Sequence, residues 1–228
     1  MREILDKIKG MLEEYKPRDT ALSEIKKKEN WDPFKVLIGT ILSQRTKDEV
    51  TSLAVERLFS KFPNAEELSK ANVEEVSYLI KPVGFYHQKA KNIIKVAKII
   101  MEKYGGKVPR NIDDLLTLPS VGRKTANCVL VYGFGEPAIP VDTHVHRIFN
   151  RLGLVKTKNP LDTEKRLREI IDKKYWIEIN DLFVRFGKSI CKPQRPLCDI
   201  CKLKDICEYY KANKGYKANK GLGCNFLG

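Results

Sequence analysis

Helix start signals recur along this chain, and they constrain its fold more than any other feature. A capping or first-turn residue precedes an amphipathic stretch at four places: Asp19, Asp32 with Pro33, Asn64 and Asn111. Apolar residues recur at helical spacing over residues 93–100, and the Gly105-Gly106 pair that follows them is typical of a helix end. We find no convincing pair of alternating strands. The sequence therefore predicts an all-α fold of about a dozen short helices.

The charge of the chain indicates what kind of partner it binds. Lys and Arg number 43 against 29 Asp and Glu, which gives a net charge of +14 over 228 residues. Such a surplus favours a polyanion such as nucleic acid. The solvated Lys/Glu-rich surface of a heat-adapted protein would explain the abundance of charge, but it explains the imbalance less well.

The sequence carries no signal for a membrane or for secretion. No stretch approaches the roughly 20 apolar residues that a membrane-spanning helix needs. The first 15 residues are amphipathic with charges of both signs, unlike a signal or transit peptide. We therefore expect a soluble cytoplasmic protein, in which the six cysteines are thiols or metal ligands rather than disulfides.

Residues 111–133 are predicted to form two helices joined by a tight turn. NIDDLLTL suits the first helix, PSVG the turn, and RKTANCVLVYG the second helix, whose inner face would bury Cys128. Arg123 and Lys124 fall in the first turn of the second helix, where the helix dipole disfavours cations. A phosphate bound at this helix end would compensate for Arg123, so we expect Arg123 to hold a DNA backbone.

Lys124 and Asp142 are the candidate catalytic pair. The helix dipole, the neighbouring Arg123 and partial burial all disfavour the charged form of the Lys124 amine, and a neutral amine is a nucleophile that can form a Schiff base. Lys124 could instead be a second phosphate contact. Asp142 precedes a helical pattern that ends before Gly153, so it is either an N-cap or an ionised carboxylate that faces a developing positive charge. Together the two groups suit displacement at a sugar carbon with a cationic transition state.

Four cysteines lie close together near the carboxyl end of the chain. Cys191, Cys198, Cys201 and Cys207 have the spacing C-x6-C-x2-C-x5-C, which in an intracellular protein indicates a metal site. The spacing leaves zinc and an iron–sulfur cluster both open. Basic residues in the same loop, among them Lys192 and Arg195, would make it a rigid phosphate-binding surface.

The last 20 residues differ in character from the rest. YKANKG at 210–215 is repeated without change at 216–221. Two copies of a polar hexad cannot form a solenoid, so residues 209–228 are predicted to be a disordered basic tail.

Three motifs in this order resemble the endonuclease III family of base-excision repair glycosylases. They are LPSVGRKTANCVLVYGFG, VDTHVHRIFNR and the cysteine cluster, and the resemblance covers residues 5–208. It implies two helical lobes: residues 25–135 as a six-helix lobe with the helix-hairpin-helix, and residues 1–24 with 136–208 as an iron–sulfur lobe. It also implies that the four cysteines hold a [4Fe-4S] cluster rather than zinc.

The resemblance assigns roles to single residues. Lys124 matches the lysine that attacks C1′ of the damaged nucleotide, and Asp142 matches the catalytic aspartate. Phe85 stands where the family uses an apolar wedge, although packing at a helix cap is the simpler explanation of a ring there. DNA contacts are implied for the hairpin and for the helix after Asp142, at Ser120, Gly122, Arg123, His144 and Arg147. The expected partner is double-stranded DNA with a damaged base, bound by a monomer in the nucleoid of a prokaryote.

Two positions depart from the family pattern. Ser120 replaces the first glycine of the hairpin, and a serine that must adopt a positive φ carries strain of about 1 kcal/mol. Gln44 stands one place before the position where relatives often have a strand-separating glutamine, and Arg45 occupies that position. If both lie in a helix, their side chains point about 100° apart.

The favoured function is a bifunctional glycosylase and abasic-site lyase for oxidised pyrimidines such as thymine glycol. A monofunctional mismatch glycosylase is a close alternative, but such relatives commonly lack a lysine at the position of Lys124. A non-catalytic DNA-binding protein is the alternative from a different class.

Overall fold

The computed structural model describes residues 1–28 and 32–213. Within these residues the regular structure is helical, without strands, so the all-α prediction is confirmed there. Before the helical residues 208–213, the described part of the chain contains twelve α-helices. They are α1 (Arg2–Tyr15), α2 (Ala21–Lys28), α3 (Pro33–Ser43), α4 (Asp48–Lys61), α5 (Ala65–Ser69), α6 (Val73–Leu79), α7 (Tyr86–Tyr104), α8 (Ile112–Leu116), α9 (Arg123–Cys128), α10 (Thr143–Leu152), α11 (Pro160–Ile170) and α12 (Trp176–Ser189).

The chain divides into two compact units. One unit is continuous and comprises residues 19–140, and the other joins residues 1–18 to the chain from residue 141 onward. The unit boundaries thus lie at 18/19 and 140/141, whereas the sequence analysis had placed them at 24/25 and 135/136. Each unit has its own core.

The continuous unit is built around α3. This helix is buried on nearly all sides from Phe34 to Leu42, and it packs against α2, α4, α9 and the π-helical turn Val129–Gly133 that continues α9. Such an apolar helix can exist in water only when other helices cover it. The packing of α3 therefore places both its own carboxyl end and the start of α9 in one rigid body.

In the other unit, α12 packs against α1 and α10. The rings of Phe149 in α10 and Phe183 in α12 stack with centroids 4.4 Å apart, and both side chains are fully buried. This aromatic contact fixes α10, and with it Asp142 at the start of α10, on the core of the unit.

Most of the predicted helix caps are confirmed. The side chains of Asp32, Asn64 and Asn111 each accept a hydrogen bond from a main-chain N–H in the first turn of their helix. The prediction of Asp19 was wrong, because α2 begins at Ala21 and Thr20 accepts the bond from the Ser23 N–H at 3.2 Å. The local signal identified the helix but placed its start one residue early.

The predicted tail lies mostly outside the described residues. Residues 208–213 are helical, so the first part of the segment 209–228 is ordered rather than disordered. The repeat beyond residue 213 is not described. Among the described helices, none is both long and apolar enough to cross a membrane.

Candidate active site and cysteine pocket

The predicted helix-hairpin-helix is present in the continuous unit. Helix α8, the turn through Leu118 and Val121, and α9 follow one another as expected, and the Val121 N–H donates to the Leu118 carbonyl at 3.1 Å. Ser120 has a φ of 63°, so it occupies the left-handed conformation that glycine adopts without strain. The Asn92 amide donates to the Ser120 hydroxyl at 2.6 Å and helps to hold the serine in place.

The two cations lie in the first turn of α9 as predicted. Gly122 is the N-cap, and Arg123 and Lys124 are the first two residues of the helix, both partly buried. The inner face of the helix is fully packed, and the prediction that Cys128 belongs to the core is confirmed. Lys124 is thus partly buried directly after the hairpin, on a helix whose other residues are anchored in the core.

Asp142 caps α10 in the other unit. One of its carboxylate oxygens accepts hydrogen bonds from the main-chain N–H groups of His144 and Val145, both at 2.9 Å. Helix α10 ends at Gly153, which has a φ of 79°, as the sequence predicted. The capping bonds hold the carboxylate in one orientation, so a capping role and a catalytic role for Asp142 are compatible.

Gln44 and Arg45 are not helical, and the expected 100° offset between them is wrong. Helix α3 ends at Ser43, and Arg45 has a φ of 53° in the turn that follows. The Gln44 amide donates to the Ser120 carbonyl at 2.9 Å, whereas the Arg45 side chain is exposed. Gln44 therefore ties the turn to the hairpin, and Arg45 is the more exposed of the two.

Phe85 lies beside Arg45. It precedes α7 with a φ of 58°, and its side chain is 67% exposed, so it does not pack as an ordinary helix cap. The Arg45 guanidinium lies 5.9 Å from the centroid of the Phe85 ring. A side chain at Gly84 would come within 3.1 Å of the Arg45 carbonyl, so glycine permits the two turns to approach. An exposed ring and an exposed cation thus stand next to each other.

Lys89 is a buried cation that the sequence analysis missed. Only 6% of the residue is exposed, and its ammonium donates to the Leu42 carbonyl at 2.8 Å, the Gln44 carbonyl at 2.5 Å and the Thr46 hydroxyl at 3.2 Å. Burial lowers the pKa of Lys89 to about 8. The helical spacing of the sequence could have indicated this burial, because residue 89 falls on the same face of α7 as the buried Ile93, Val96 and Ile100.

The lowered pKa of Lys89 predicts a pH-dependent stability. The unfolded chain binds this proton more tightly than the folded chain between pH 8 and the ordinary lysine pKa of 10.5, so the cost of burying the charge falls as the pH rises through this range. We expect wild type to gain about 2 kcal/mol of unfolding free energy relative to Lys89→Met between pH 8 and about pH 10. Denaturant unfolding of both proteins at several pH values measures this difference in unfolding free energy. The difference between wild type and Lys98→Met, which removes an exposed lysine of α7, should stay constant; a constant difference for Lys89→Met would contradict the prediction.

Arg147 and His144 lie on α10 beside Gly187 of α12, and Arg147 also bonds the start of the cysteine loop. The Arg147 guanidinium donates to the carbonyls of Cys191 at 2.8 Å and Gly187 at 3.2 Å, and it lies 3.2 Å from His144 Nδ1. Burial is the main cause that lowers the pKa of His144, which favours a neutral ring whose Nδ1 can accept from Arg147. The structure thus gives Arg147 hydrogen bonds within its own unit, where the resemblance had implied contact with DNA.

Arg151 is a second residue that the sequence analysis missed. It lies one turn after Arg147, donates to the carbonyls of Lys192 at 2.7 Å and Pro193 at 2.8 Å, and stacks 4.3 Å from the Tyr209 ring centroid. The spacing of two arginines four residues apart in RIFNR could have indicated a shared face. Together they hold the start of the cysteine loop.

The four cysteines of the cluster motif line a single pocket. Its walls include Ile148, Leu152 and Phe186, and it has about 400 Å³ of space, open solvent at its mouth included. No group of three or more His, Cys, Asp or Glu side chains in the described ranges converges closely enough to hold one metal ion. Arg195 is exposed on the loop between Cys191 and Cys198, and Lys192 is half-buried at the start of that loop.

Comparison with known proteins identifies the family. Residues 38–173 match HhH-GPD, the superfamily of base excision DNA repair proteins. Endonuclease III of Thermotoga maritima is 54% identical over 173 residues, which are 76% of this chain and 81% of that protein. Endonuclease III of Bacillus subtilis is 42% identical over 173 residues, 75% of this chain and 79% of that one.

Solved structures agree with this assignment. A structure of a trapped endonuclease III–DNA covalent intermediate aligns with a TM-score of 0.80 at 35% identity, over 93% of this chain and 96% of that one. A thermostable thymine-DNA glycosylase aligns with a TM-score of 0.74 at 26% identity, over 91% and 98%. With its hairpin and all-helical architecture, the chain belongs to the HhH-GPD superfamily of base excision DNA repair proteins, as a DNA glycosylase of the endonuclease III family.

Proposed function

We propose that this protein is a bifunctional DNA glycosylase and abasic-site lyase that removes oxidised pyrimidines of the thymine glycol type from double-stranded DNA. The observation that carries the proposal is Lys124, a partly buried amine at the second position of α9, directly after the hairpin. The similar endonuclease III that was trapped as a covalent intermediate with DNA supports a covalent mechanism.

Lys124 is the nucleophile in this proposal. Its neutral amine attacks C1′ of the damaged nucleotide, and the bond from C1′ to the base breaks with its electron pair leaving on the base, which takes up a proton. Opening of the sugar ring then gives a Schiff base between Nζ and C1′. Loss of a proton from C2′ expels the 3′ phosphate, so the strand is cut on the 3′ side of the lesion.

Asp142 stabilises the positive charge that develops on the sugar. Its carboxylate is held in one orientation by two main-chain N–H groups. A fixed anion needs no reorganisation when the charge develops, and this is the usual source of electrostatic catalysis. We propose that the carboxylate faces the sugar of the flipped nucleotide.

The remaining site residues are proposed DNA contacts. Arg123, Gly122 and Ser120 would hold the phosphate backbone at the hairpin, and Lys192 and Arg195 would hold phosphates beside the cysteine loop. Phe85, Arg45 and Gln44 would occupy the space that the flipped nucleotide leaves. We propose that His144 lines the pocket for the flipped base.

A product assay tests the proposed reaction. The protein is mixed with a duplex that contains one thymine glycol, and both the released base and the cut strand are measured, with and without borohydride. We expect base, nick and a borohydride-trapped complex together. Release of base without a nick would support a monofunctional enzyme instead. A duplex with thymine opposite guanine is tested in the same assay, because the chain is similar to the thymine-DNA glycosylase. Faster release of thymine from this mismatch would show that the mismatch, and not thymine glycol, is the substrate.

We also propose that Cys191, Cys198, Cys201 and Cys207 hold a [4Fe-4S] cluster. Four thiolates suit either zinc or such a cluster, but a single zinc ion needs its four sulfurs about 2.3 Å from one point. All four cysteines line one pocket, and the resemblance to the endonuclease III family favours the cluster over zinc. The bound cluster would cross-link the loop and so keep Arg195 and Lys192 in place.

Replacement of one cysteine tests this assignment. We expect Cys198→Ser to lower the iron bound per chain and the visible absorbance of the purified protein, and to lower its melting temperature, because a ligand to a structural metal group is lost. Cys128→Ser is the matched control, since Cys128 is buried in the other unit and should leave the iron content unchanged. One equivalent of zinc without iron would contradict the assignment.

A further inference from the structure

Lys89 is a buried cation that has no role in the proposed function, although it bonds the turn that carries Arg45. We propose that Lys89 is a positioning residue, which holds this turn so that Arg45 meets the base opposite the lesion, and that it thereby determines how strongly the enzyme favours guanine at that place. The proposal rests on the proposed function for the existence of a lesion and of an opposite base. Its geometry lies entirely within the unit of residues 19–140.

The three donors of the Lys89 ammonium match three neutral acceptors. They are the Leu42 carbonyl, the Gln44 carbonyl and the Thr46 hydroxyl, and the last two lie on either side of Arg45 in the chain. Carbonyls at the end of a helix carry partial negative charge, which favours a cation beside them. The buried cation therefore stabilises a turn that contains a non-glycine residue at a φ of 53°.

The turn is also held on two other sides. The Gln44 amide donates to the Ser120 carbonyl in the hairpin, and the Arg45 guanidinium lies against the ring of Phe85. Lys89 is the contact that connects these two, because it bonds the Gln44 carbonyl on one side of Arg45 and the Thr46 hydroxyl on the other. The firmly held turn thus places the exposed guanidinium of Arg45 beside the exposed ring of Phe85.

The chemistry of a fixed guanidinium indicates which base it prefers. Arginine offers several N–H donors in a plane and accepts none, so it pairs best with an edge that carries two acceptors. Guanine presents O6 and N7 as neighbouring acceptors, whereas adenine presents one acceptor beside a donor. A well-positioned Arg45 should therefore favour guanine, and a loosely held Arg45 should discriminate less.

The first experiment compares opposite bases. Single-turnover excision of thymine glycol is measured opposite guanine, adenine and a stable abasic analogue. We expect wild type to act about tenfold faster opposite guanine than opposite adenine. For Lys89→Met we expect this ratio to fall to within about twofold, with the rate opposite the abasic analogue little changed. Lys98→Met, the exposed control on α7, should keep the wild-type ratio.

The ratio separates positioning from a general loss of stability. If Lys89→Met lowered all three rates by the same factor and kept the ratio, or if wild type itself showed no preference for guanine, the proposal would be overturned. Thr46→Val serves where Lys89→Met does not fold, because it removes only the acceptor at 3.2 Å. An intermediate ratio for Thr46→Val supports the proposal, and an unchanged one contradicts it.

A binding measurement makes the test independent of excision. A duplex with the abasic analogue opposite 2-aminopurine is saturated with protein, and the fluorescence of 2-aminopurine reports whether that base is unstacked. We expect a rise with wild type and with Lys98→Met, and a much smaller rise with Lys89→Met. If wild type releases no thymine glycol but still gives the rise, the proposed function fails while the positioning role stands; without a rise in wild type, the positioning role falls.

Discussion

Lys124→Ala should abolish the covalent protein–DNA complex that borohydride traps and lower the rate of base release by at least about a thousandfold. The reason is that alanine has no amine, so neither the attack on C1′ nor the Schiff base can occur. Stability should change little, because Lys124 is only partly buried in the first turn of α9. The measurement is single-turnover excision of thymine glycol, with gel analysis of the reduced mixture.

The neighbouring Arg123 provides the matched control. Arg123→Ala removes a cation from the same helical turn but no nucleophile. It should weaken DNA binding by about tenfold, because one phosphate contact is lost. The chemical step should not change, so the covalent complex should still be trapped at saturating protein. A trapped complex that survives in Lys124→Ala would place the nucleophile elsewhere. If wild type forms no complex and releases no base from any lesion, the non-catalytic DNA-binding alternative is favoured.

Asp142→Asn is expected to give the second large effect, a fall of about a hundredfold to a thousandfold in the excision rate. Asparagine caps helices as well as aspartate does, so the two bonds to the N–H groups of His144 and Val145 can be kept while the charge is lost. The free energy of unfolding should therefore change by less than about 0.5 kcal/mol. Excision kinetics and denaturant unfolding of the same preparation measure both quantities.

Asp32→Asn is the control for capping. Asp32 caps α3 in the same way, with its side chain accepting from the N–H groups of Phe34 and Lys35. It should leave both stability and excision close to wild type. If Asp142→Asn also left excision unchanged, Asp142 would be a cap only, and the charge that stabilises the sugar would have to come from another residue.

Local features were predicted well from the sequence. The caps at Asn64 and Asn111, the end of α10 at Gly153 and the order of helix, hairpin and helix around Gly122 all depend on contacts within about one helical turn. Such contacts follow from residue type and spacing. The error at Asp19 has the same origin, since Thr20 beside it is an equally good cap.

Contacts between distant segments were not predictable in this way. The 100° offset between Gln44 and Arg45 presumed that both are helical, but α3 ends at Ser43, and a lysine 45 residues beyond Gln44 bonds its main-chain carbonyl and stabilises the turn. Arg147 bonds the carbonyl of Cys191, 44 residues further on, and the sequence analysis did not predict this bond. In both cases the partner is a main-chain carbonyl, which every residue has and which no side-chain pattern identifies.

The sequence by itself determined the helical class of this protein, the hairpin with Lys124 in the first turn of α9, the cap at Asp142 and the family, because these depend on local hydrogen bonding and on motifs read in order. Only the tertiary structure decided where the cations act. Packing of α7 against α3 buries Lys89 beneath the Arg45 turn, and packing of α10 against α12 aims Arg147 at the cysteine loop. A buried cation must find acceptors within about 3 Å, and which carbonyls lie that close is a property of the packed helices.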